Sequence, residues 1–441
     1  MQVAAGAATN AGCCMCQCCF KCMGGTLKAD QHQVRLISYV FIFFAYYGIA
    51  TLAMYTFGNT FMKVFASWIG CPAGSLDACY GASIIFRVTF ALLILYLAVL
   101  ILMLPKDDFS YSVNKNCWPV KWILPAAIFI VACFIGNGFF EGLAKAGKYL
   151  GIIYLLMQDF SYNEFFFRWS NSWIQKMKTN CCYALMYYIF LIGSFIGMVV
   201  LIVLNFRWHW KAGCGANKMW LIINVGIVAF NYVMTGICLY CPKKMRDDVN
   251  LVGTTMFSFY TSYYFYSGLS SDTDPNCSVV LKSTTFVITE IFISSTLILI
   301  LFVFLSFFKS LPFIPQEKEQ GQTEANVVTR EVRLRNQVRE NGEDAGEAYD
   351  QIEYRTNKYV WIFFAYVFLV LYFQNVITNW GTVTALSQIY SYSTDQAGYY
   401  IKIINALFNA LLYIYVLIAP IILPGRKFGS EANQRQTTYG A

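Results

Sequence analysis

The sequence predicts an all-α polytopic membrane protein with about ten transmembrane helices, and three observations support this class. Ten stretches of roughly twenty residues consist almost entirely of Leu, Ile, Val, Phe, Tyr and Ala, and about 20 helical residues cross a hydrocarbon core about 30 Å thick. Of the 441 residues, 58% are hydrophobic and only 13% are charged, whereas about 25% are charged in a soluble protein. A soluble domain would also need amphipathic helices to shield its apolar ones, and the pattern offers none.

The spans follow one another with short connections, except for one long polar interruption. In chain order they are predicted at 36–57, 83–104, 118–140, 145–173, 181–206, 218–240, 249–269, 283–308, 358–380 and 399–423. Uninterrupted apolar runs such as Ala91–Leu104 and Leu297–Phe308 exclude β-barrel strands, in which apolar and polar residues alternate over about ten positions.

Basic residues predict the orientation. Most of the 32 Lys and Arg residues fall on one side of the membrane if the amino terminus is inside, and positive residues are retained on the cytoplasmic side. Both termini are therefore predicted to be cytoplasmic. The membrane is the plasma membrane or an endomembrane, and the sequence does not choose between them.

The spans divide the chain into five regions. These are a cysteine-rich cytoplasmic segment (1–35), an eight-helix transmembrane region (36–308), a polar cytoplasmic loop (309–357), the last two transmembrane helices (358–424) and a disordered tail (425–441). The loop is rich in Glu, Gln, Arg and Asn and cannot bury a core. We expect it to be flexible, with a solvated helix or a protein-binding segment as the alternatives.

Four cysteines fall in loops that this topology puts outside: Cys71, Cys79, Cys214 and Cys277. Disulfides persist outside and are rare in the reducing cytosol, so disulfides are predicted among these four. Three pairings are possible, and Cys71 with Cys79 is the most local one. Free thiols are the alternative.

Six cysteines cluster before the first span: Cys13, Cys14, Cys16, Cys18, Cys19 and Cys22. This position fits S-acylation or shallow insertion into the lipid face. Small residues packing a membrane-embedded turn are an equal alternative. Two Cys-x-x-Cys pairs can be drawn, but structural zinc sites usually have a longer excursion between their pairs. No metal site is therefore predicted.

Several polar residues fall at membrane depth: Arg87, Glu290, Asn379 and Lys402. A charge at the bilayer centre costs about 2.5 to 3.5 kcal/mol on insertion scales, so such residues normally face protein or water. Arg87 and Lys402 lie near span ends and could instead snorkel outward. Glu290 lies about two turns into the eighth span, where 3.6 residues make a turn, and cannot snorkel so easily.

The fourth segment is too long for a simple span. Its helical pattern continues over 143–177, a length of about 50 Å at 1.5 Å per residue. Asp159, Glu164 and Arg168 fall in its middle and inner half, and Glu164 with Arg168 has the i, i+4 spacing of an ion pair on one helix face. Such a helix must tilt or bend, and its charges must line a polar interior or a groove. An ion pair locking two helix bundles together is the alternative.

Trp169, Asn171 and Trp173 continue this segment toward basic Lys176 and Lys178. Tryptophans near a basic helix end are typical of an interfacial aromatic belt. By themselves these residues are predicted to be membrane anchors. Gly147 with Gly151, and Gly193 with Gly197, have a small-xxx-small spacing that permits close helix packing.

Separate motifs in the same order as a known family give the chain a resemblance over essentially its whole length. They are the cysteine-rich start, Phe86–Phe90 (FRVTF), Arg168–Trp173 (RWSNSW), Tyr264–Ser267 (YFYS) followed by Asp274–Cys277 (DPNC), Thr378–Trp380 (TNW), and Leu412–Pro424. Together they resemble the serine incorporator family, also called TMS membrane proteins. The chain departs from the family where Trp-Asn-Glu-Ser-Trp is replaced by Trp169–Trp173 (WSNSW), without the carboxylate, and at Tyr266 and Gly381.

The resemblance implies ten helices in two bundles divided by a long tilted fourth helix, with a lipid-accessible groove between them. It also implies ATP-independent movement of phospholipid, particularly phosphatidylserine, between leaflets, and the family name records a proposed role in serine-derived lipid synthesis. The groove candidates on the fourth segment are Asp159, Glu164, Arg168, Trp169, Asn171 and Trp173.

Enzymatic chemistry has little support in the sequence. Neither a Gly-x-x-x-x-Gly-Lys phosphate loop nor a His-Glu-x-x-His metal motif is present, so no enzyme, cofactor or nucleic-acid partner is predicted. Membrane phospholipids are the expected partners, and oligomers remain possible. Two other functions stay open, a secondary transporter of a small solute such as serine and a non-transporting scaffold.

Overall fold

The computed structural model describes residues 31–71, 76–105, 108–116, 118–177, 181–240, 245–246, 249–274, 276–277, 284–307, 358–378, 380–381 and 396–422. Every regular element among these residues is a helix, which confirms the predicted all-α class. The amino-terminal cysteine cluster, the loop 309–357 and the carboxy-terminal tail lie outside the described residues. Their predicted acylation, partner binding and disorder therefore stay predictions.

The helices alternate between long apolar segments and short connecting pieces. In chain order they are α1 (Gln31–Tyr55), α2 (Gly58–Lys63), α3 (Ala66–Ile69), α4 (Leu76–Met103), α5 (Asp108–Lys115), α6 (Trp118–Ala132), α7 (Asn137–Met177), α8 (Cys181–His209), α9 (Gly215–Tyr240), α10 (Leu251–Ser270), α11 (Thr284–Phe307), α12 (Lys358–Ile377) and α13 (Ala397–Ile422). Each predicted span overlaps one of the other ten helices, and α2, α3 and α5 belong to the connections.

Six helices of the described chain are long and apolar enough to cross a bilayer, namely α1, α4, α8, α9, α12 and α13. Helix α6 and the described part of α11 are apolar but shorter. Helices α7 and α10 are long enough but more polar, because α7 carries charges and α10 is rich in Ser, Thr and Tyr. The protein is an integral multi-pass membrane protein.

The chain forms two compact units. Unit 1 contains the described parts of Tyr162–Val279 and Tyr399–Ala441, and unit 2 those of Ala29–Ser161 and Val280–Gly398. Helix α7 has 41 residues, about 60 Å at 1.5 Å per residue, and contributes residues to both. The predicted excess length of this segment is confirmed, and the helix is longer still than the sequence suggested.

Helix α4 is the centre of unit 2 and packs against α1, α2, α6 and α12. One buried hydrogen-bond group joins three of these helices. The Tyr47 hydroxyl of α1 donates to the Val370 carbonyl of α12 over 2.7 Å, and its oxygen lies 2.9 Å from the Thr89 hydroxyl of α4. Because a buried hydroxyl without a partner is costly, these bonds favour one register among the three helices.

The connection between α6 and α7 differs from the prediction, which ran the third span on to residue 140. Helix α6 ends at Ala132 and α7 begins at Asn137. Fully buried Arg87 of α4 lies against this break, donating to the Ala132 and Ile135 carbonyls over 3.1 and 2.8 Å and to Asn137 Oδ1 over 3.3 Å. Arg87 thus supplies a donor to the Ile135 carbonyl and a second donor to the Ala132 carbonyl, which also accepts from the Ile135 N–H over 3.1 Å. Arg87 is thus a structural cap, and outward snorkelling is wrong for it.

Close packing of α7 on α12 in unit 2 depends on two glycines. A Cβ atom on Gly151 would lie 2.9 Å from Asn375 Nδ2 and 3.3 Å from the Tyr372 Cα, and one on Gly147 would lie 3.3 Å from Gln374 Nε2. The close approach expected at this pair is confirmed. In unit 1, a Cβ on Gly197 would touch Phe259 at 3.3 Å, but one on Gly193 meets no atom within 4 Å, so only one member of the second pair packs closely.

Helix α10 is the centre of unit 1 and packs against α8 and α9. Sixteen of its 20 residues are buried, and they include Thr254, Thr255, Ser258, Thr261 and Ser262. Helix α8 is the opposite case, because only 11% of its apolar segment is buried within the protein. A polar helix at the centre and an apolar one exposed is the arrangement expected when hydrocarbon, not water, surrounds the bundle.

The four cysteines predicted to form disulfides do so, as Cys71–Cys79 and Cys214–Cys277. The structure therefore chooses among the three pairings that the sequence allowed. The first bond, in unit 2, links the segment after α3 to the first turn of α4. The second, in unit 1, links the residue before α9 to the segment after α10.

Candidate functional site

A cluster of three charged side chains lies at the carboxy-terminal half of α7, in unit 1. Glu164 Oε1 accepts a hydrogen bond from Arg168 Nε over 2.6 Å, and Glu164 Oε2 lies 3.6 Å from an Nη atom of Arg246. The i, i+4 pair expected from the sequence is therefore present, and a second arginine joins it. Two positive charges and one negative charge give this arginine–glutamate triad a net charge of +1.

Arg246 comes from the connection between α9 and α10, and two contacts fix its position. Its backbone N–H donates to the Leu417 carbonyl of α13 over 3.3 Å. Its guanidinium carbon lies 4.6 Å from the centroid of the Phe167 ring, a cation–π distance. From the sequence, Arg246 is one basic residue among the many predicted on the cytoplasmic side. No local pattern could have revealed it, because the chain brings it to Glu164 from a distant connection.

The triad is neither sealed nor fully exposed. The Glu164 and Arg168 side chains are 23% and 15% exposed, while that of Arg246 is 6% exposed. Charged groups in such a position are less screened than at a free surface. The accessible parts of Glu164 and Arg168 can therefore bind a polar group that arrives from outside the bundle.

The two tryptophans that follow the triad pack on each other and on α8. The rings of Trp169 and Trp173 have centroids 4.4 Å apart, and each lies edge-on to Phe190, at 5.0 and 5.1 Å. Both tryptophans keep partial exposure. They form an aromatic wall beside the charged cluster, consistent with an anchoring role at the membrane interface.

Asn171 has a structural partner. Asn250 Nδ2 donates to Asn171 Oδ1 over 3.1 Å. The same Asn250 caps the amino end of α10, because its Oδ1 accepts from the Gly253 backbone N–H over 2.8 Å. Asn171 thus steadies the start of α10 next to the triad.

The remaining sequence candidates lie elsewhere. Asp159 is fully buried and belongs to the part of α7 in unit 2, so it is not available to a headgroup in this structure. Lys402 is buried and donates to Ser271 Oγ over 2.9 Å, and outward snorkelling is wrong for it too. Glu290 lies within α11, but its side chain and the whole of Asn379 fall outside the described residues.

A buried polar layer that was not predicted from the sequence runs along α10 in unit 1. Four asparagines from α8, α9 and α13 contact Ser258, Thr261 and Ser262 of α10, and we call these seven residues the α10 seam. The asparagines are Asn205, Asn224, Asn231 and Asn409, and each is at most 1% exposed.

Further hydrogen bonds continue this layer toward both ends of α10. The Tyr413 hydroxyl lies 2.9 and 2.8 Å from the hydroxyls of Thr235 and Thr254. At the opposite end, Asn217 Nδ2 donates to Asp272 Oδ2 over 2.9 Å. A signal existed in the sequence, because Asn217, Asn224 and Asn231 recur every seventh residue in α9 and therefore share one helix face.

The chain is similar to proteins called serine incorporators. The family model described as Serine incorporator (Serinc) matches residues 8–426. A probable serine incorporator of Nematostella vectensis is 22% identical over 386 residues, covering 80% of this chain and 82% of the relative. One from Dictyostelium discoideum is 22% identical, covering 71% and 74%. Serine incorporator 3 of Bos taurus is 22% identical over 477 aligned positions, covering 95% and 96%.

Proposed function

Because this chain belongs to the serine incorporator (Serinc) family, we propose that it moves phospholipid with a phosphatidylserine-like headgroup between leaflets without ATP. The relatives are named for incorporating serine, and a serine phospholipid is the membrane component that carries that amino acid. A role in the supply of serine-derived lipids would follow from the same activity. No chemical reaction at the protein is part of this proposal.

The observation that carries the proposal is the partly exposed arginine–glutamate triad of unit 1. A charged side chain at membrane depth is expensive to insert, and such residues usually mark a pathway or binding site. Arg168 and Arg246 both present guanidinium N–H groups at this cluster, and we expect these groups to bind an anion. Arginine also matches the geometry of phosphate and carboxylate groups, with which it forms two parallel hydrogen bonds.

A serine headgroup complements this triad. Its phosphate and carboxylate can accept from Arg168, which keeps 15% exposure, while its ammonium can donate to Glu164, which keeps 23%. Arg168 and Glu164 then give up their contact with each other and each pair with a charged group of the lipid instead. The desolvation of the headgroup is offset by these contacts while the acyl chains stay in hydrocarbon, which lowers the barrier to crossing. Movement down a concentration difference needs no other energy source.

The orientation expected from basic residues puts the triad near the cytoplasmic leaflet, with both termini cytoplasmic. Two disulfides in the loops expected outside support this orientation, because such bonds are rare in the cytosol. We propose the plasma membrane or an endomembrane as the location. A protein partner at the loop 309–357 and an oligomer remain part of the hypothesis.

The test uses purified full-length protein in liposomes with fluorescent phosphatidylserine in both leaflets. Addition of a membrane-impermeant quencher should remove all of the signal if lipid crosses, and about half if it does not. We expect Arg168→Gln to slow the crossing about tenfold, because a lost charge-assisted hydrogen bond costs about 1.5 to 3 kcal/mol and 1.36 kcal/mol is a factor of ten in rate.

The matched control is Arg207→Gln, since Arg207 is an exposed arginine at the end of α8. It removes the same charge outside the triad and should leave the rate unchanged. Equal rates for the two variants would reject the triad as the site. Lipid that never crosses in liposomes with folded wild-type protein would reject the function itself.

A secondary transporter of a small solute such as serine is the second candidate. The α10 seam favours it, because a buried layer of amides and hydroxyls is the kind of lining that a polar solute requires. Entry of radiolabelled serine into the same liposomes, without movement of lipid, would select the transporter. If neither lipid nor serine moved, a scaffold role would become the preferred function.

A further inference from the structure

The α10 seam contains more polar atoms than its own residues can satisfy. Each of its four asparagines makes one hydrogen bond to α10 and leaves its other amide atom without one in the part of the chain that the structure describes. The atoms left over are Asn205 Oδ1, Asn224 Nδ2, Asn231 Oδ1 and Asn409 Oδ1. Buried polar atoms in native proteins almost always have a partner, in the protein or in ordered water.

In each of these four asparagines, the amide atom that does form a hydrogen bond bonds to the same short stretch of α10. Asn231 Nδ2 donates to Ser258 Oγ over 3.4 Å, and Asn409 Nδ2 donates to Thr261 Oγ1 over 3.4 Å. Residues 258 to 262 span about one turn of helix, roughly 6 Å of rise. The orphaned atoms therefore belong to one neighbourhood.

Ser262 is shared by the other two amides. Its hydroxyl donates to Asn224 Oδ1 over 3.1 Å, and its carbonyl accepts from Asn205 Nδ2 over 3.5 Å. Three orphaned acceptors and one orphaned donor consequently surround the same helix turn. Their positions come from α8, α9 and α13, so no single helix can rotate to satisfy them all.

One amide has its orientation fixed by its neighbour on α10. A flip exchanges the nitrogen and the oxygen of an asparagine amide. For Asn205 a flip would aim an oxygen at the Ser262 carbonyl, which cannot donate. The other three amides bond to hydroxyls, so a flip only exchanges which amide atom bonds to the hydroxyl and which one faces the other side.

We infer that the α10 seam binds ordered water molecules that bridge these four amides. Water is the smallest group that both donates and accepts, and the orphaned set contains atoms of both kinds. A bound cation fits less well, because the seam contains no carboxylate to balance its charge and one of its orphaned atoms is a donor. The inference does not depend on the proposed movement of lipid.

Bound water gives unit 1 a hydrated interior at membrane depth. The seam lies between the hydroxyl group of Thr235, Thr254 and Tyr413 at one end and the Asn217–Asp272 pair at the other. Its waters then join the polar groups of these two ends into one layer along α10. Ordered water is one of the ways in which freed backbone groups in membrane helices are satisfied.

The direct test is a cryo-electron-microscopy map of the full-length protein in lipid nanodiscs, at a resolution that shows ordered water. We expect density about 3 Å from Asn231 Oδ1 and from Asn224 Nδ2. Asn217 is the internal control, because both of its amide atoms already have protein partners, Asp272 and Tyr399. No bridging density is expected between Asn217 and those two partners.

Three results would overturn the inference. They are a dry seam in which the amides bond directly to one another, density that continues into a lipid chain, and density that disappears when sodium and potassium are replaced by choline. Density that is unchanged by the buffer cation supports it. In Asn231→Leu the peak beside that residue should vanish while the peak beside Asn409 stays.

A second measurement does not depend on map resolution. Protein with 15N-labelled asparagine in vesicles is studied by solid-state NMR, with magnetisation transferred from water protons to side-chain nitrogens. The Nδ2 signal of Asn224 should receive magnetisation as quickly as an exposed amide does, and Asn224→Leu identifies that signal by its loss. No transfer to any of the four seam asparagines would reject bound water.

Discussion

Arg87 is wholly buried in unit 2, and its Nη2 atom donates a 2.8 Å hydrogen bond to the backbone carbonyl of Ile135, in the break between α6 and α7. In the described chain this guanidinium makes no ion pair with a carboxylate and instead bonds to carbonyl and amide oxygens. Its ring neighbour is Phe140, 4.5 Å from the guanidinium carbon. A buried cation therefore holds the start of the longest helix.

Replacing Arg87 should destabilise the connection between α6 and α7. We expect Arg87→Met to lower the free energy of unfolding by about 1 to 3 kcal/mol, because the Ile135 carbonyl loses its donor and an acceptor left without a partner costs about that much. Unfolding in SDS, followed by circular dichroism, measures the change. Exposed Arg207→Met should change stability little, and equal losses in the two variants would contradict the capping role.

Two glycines of α7 should respond to alanine with opposite signs. Gly151→Ala must push its methyl group against Asn375 and the Tyr372 backbone, so it should destabilise unit 2 by about 1 to 3 kcal/mol. Gly142 has no atom within 4 Å of an added Cβ, and Gly142→Ala should gain up to about 1 kcal/mol from helix propensity. The same unfolding assay measures both, and a loss for both would show that α7 resists alanine generally.

The two disulfides should contribute unequally to stability. Their sequence separations are 63 residues for Cys214–Cys277 and 8 for Cys71–Cys79. Loop-closure entropy predicts losses of about 4 and about 2.5 kcal/mol when each pair is replaced by serine. Peptide mapping without reduction verifies the pairing, and a larger loss at the short loop would contradict the entropic account.

Coupling within the charged triad can be compared with an ordinary ion pair on the same helix. A double-mutant cycle of Glu164→Ala and Arg168→Ala should give a coupling energy of about 1 kcal/mol, because the 2.6 Å contact is largely screened from water. The control cycle uses Glu141 and Lys145, whose atoms are 3.7 Å apart and whose lysine is 67% exposed. The coupling energy of this control pair should be below about 0.5 kcal/mol. A larger coupling energy for Glu141 and Lys145 than for Glu164 and Arg168 would contradict the prediction.

Removal of one hydroxyl should weaken unit 1. The Tyr413 hydroxyl contacts Thr235 and Thr254, and Tyr413→Phe should cost about 1 to 2 kcal/mol. Tyr415→Phe is the matched control, since Tyr415 is 43% exposed two residues later. Unfolding midpoints that shift equally would show that the Tyr413 bonds do not stabilise the unit.

The apolar spans were predictable because their signal is local. Twenty apolar residues in succession have few alternatives to a membrane helix, and the charge spacing of Glu164 and Arg168 likewise revealed their ion pair. The end of α6 at Ala132 was not predictable in this way. Arg87, which lies on another helix, donates to the carbonyls of the break. No pattern within residues 118–140 indicates that a residue of α4 binds there.

The same limit explains the parts of the site that were missed. Arg246 reaches Glu164 only through the packing of unit 1, and its own neighbourhood in the sequence suggests an ordinary basic connection. The asparagines of α9 were visible at a seven-residue interval, but their meaning depends on the hydroxyls of α10 opposite them. Burial of Asp159 also depends on tertiary packing, so sequence position alone could not separate it from Glu164.

The disulfide between Cys214 and Cys277 can form only after α9 and α10 have been synthesised. Cys214 leaves the ribosome 63 residues before its partner, and both α9 and α10 are made in between. The first thiol must therefore remain reduced, or pair wrongly and be exchanged, until two further helices have entered the membrane. Maturation of unit 1 thus includes a late oxidation step that a thiol–disulfide exchange catalyst would accelerate.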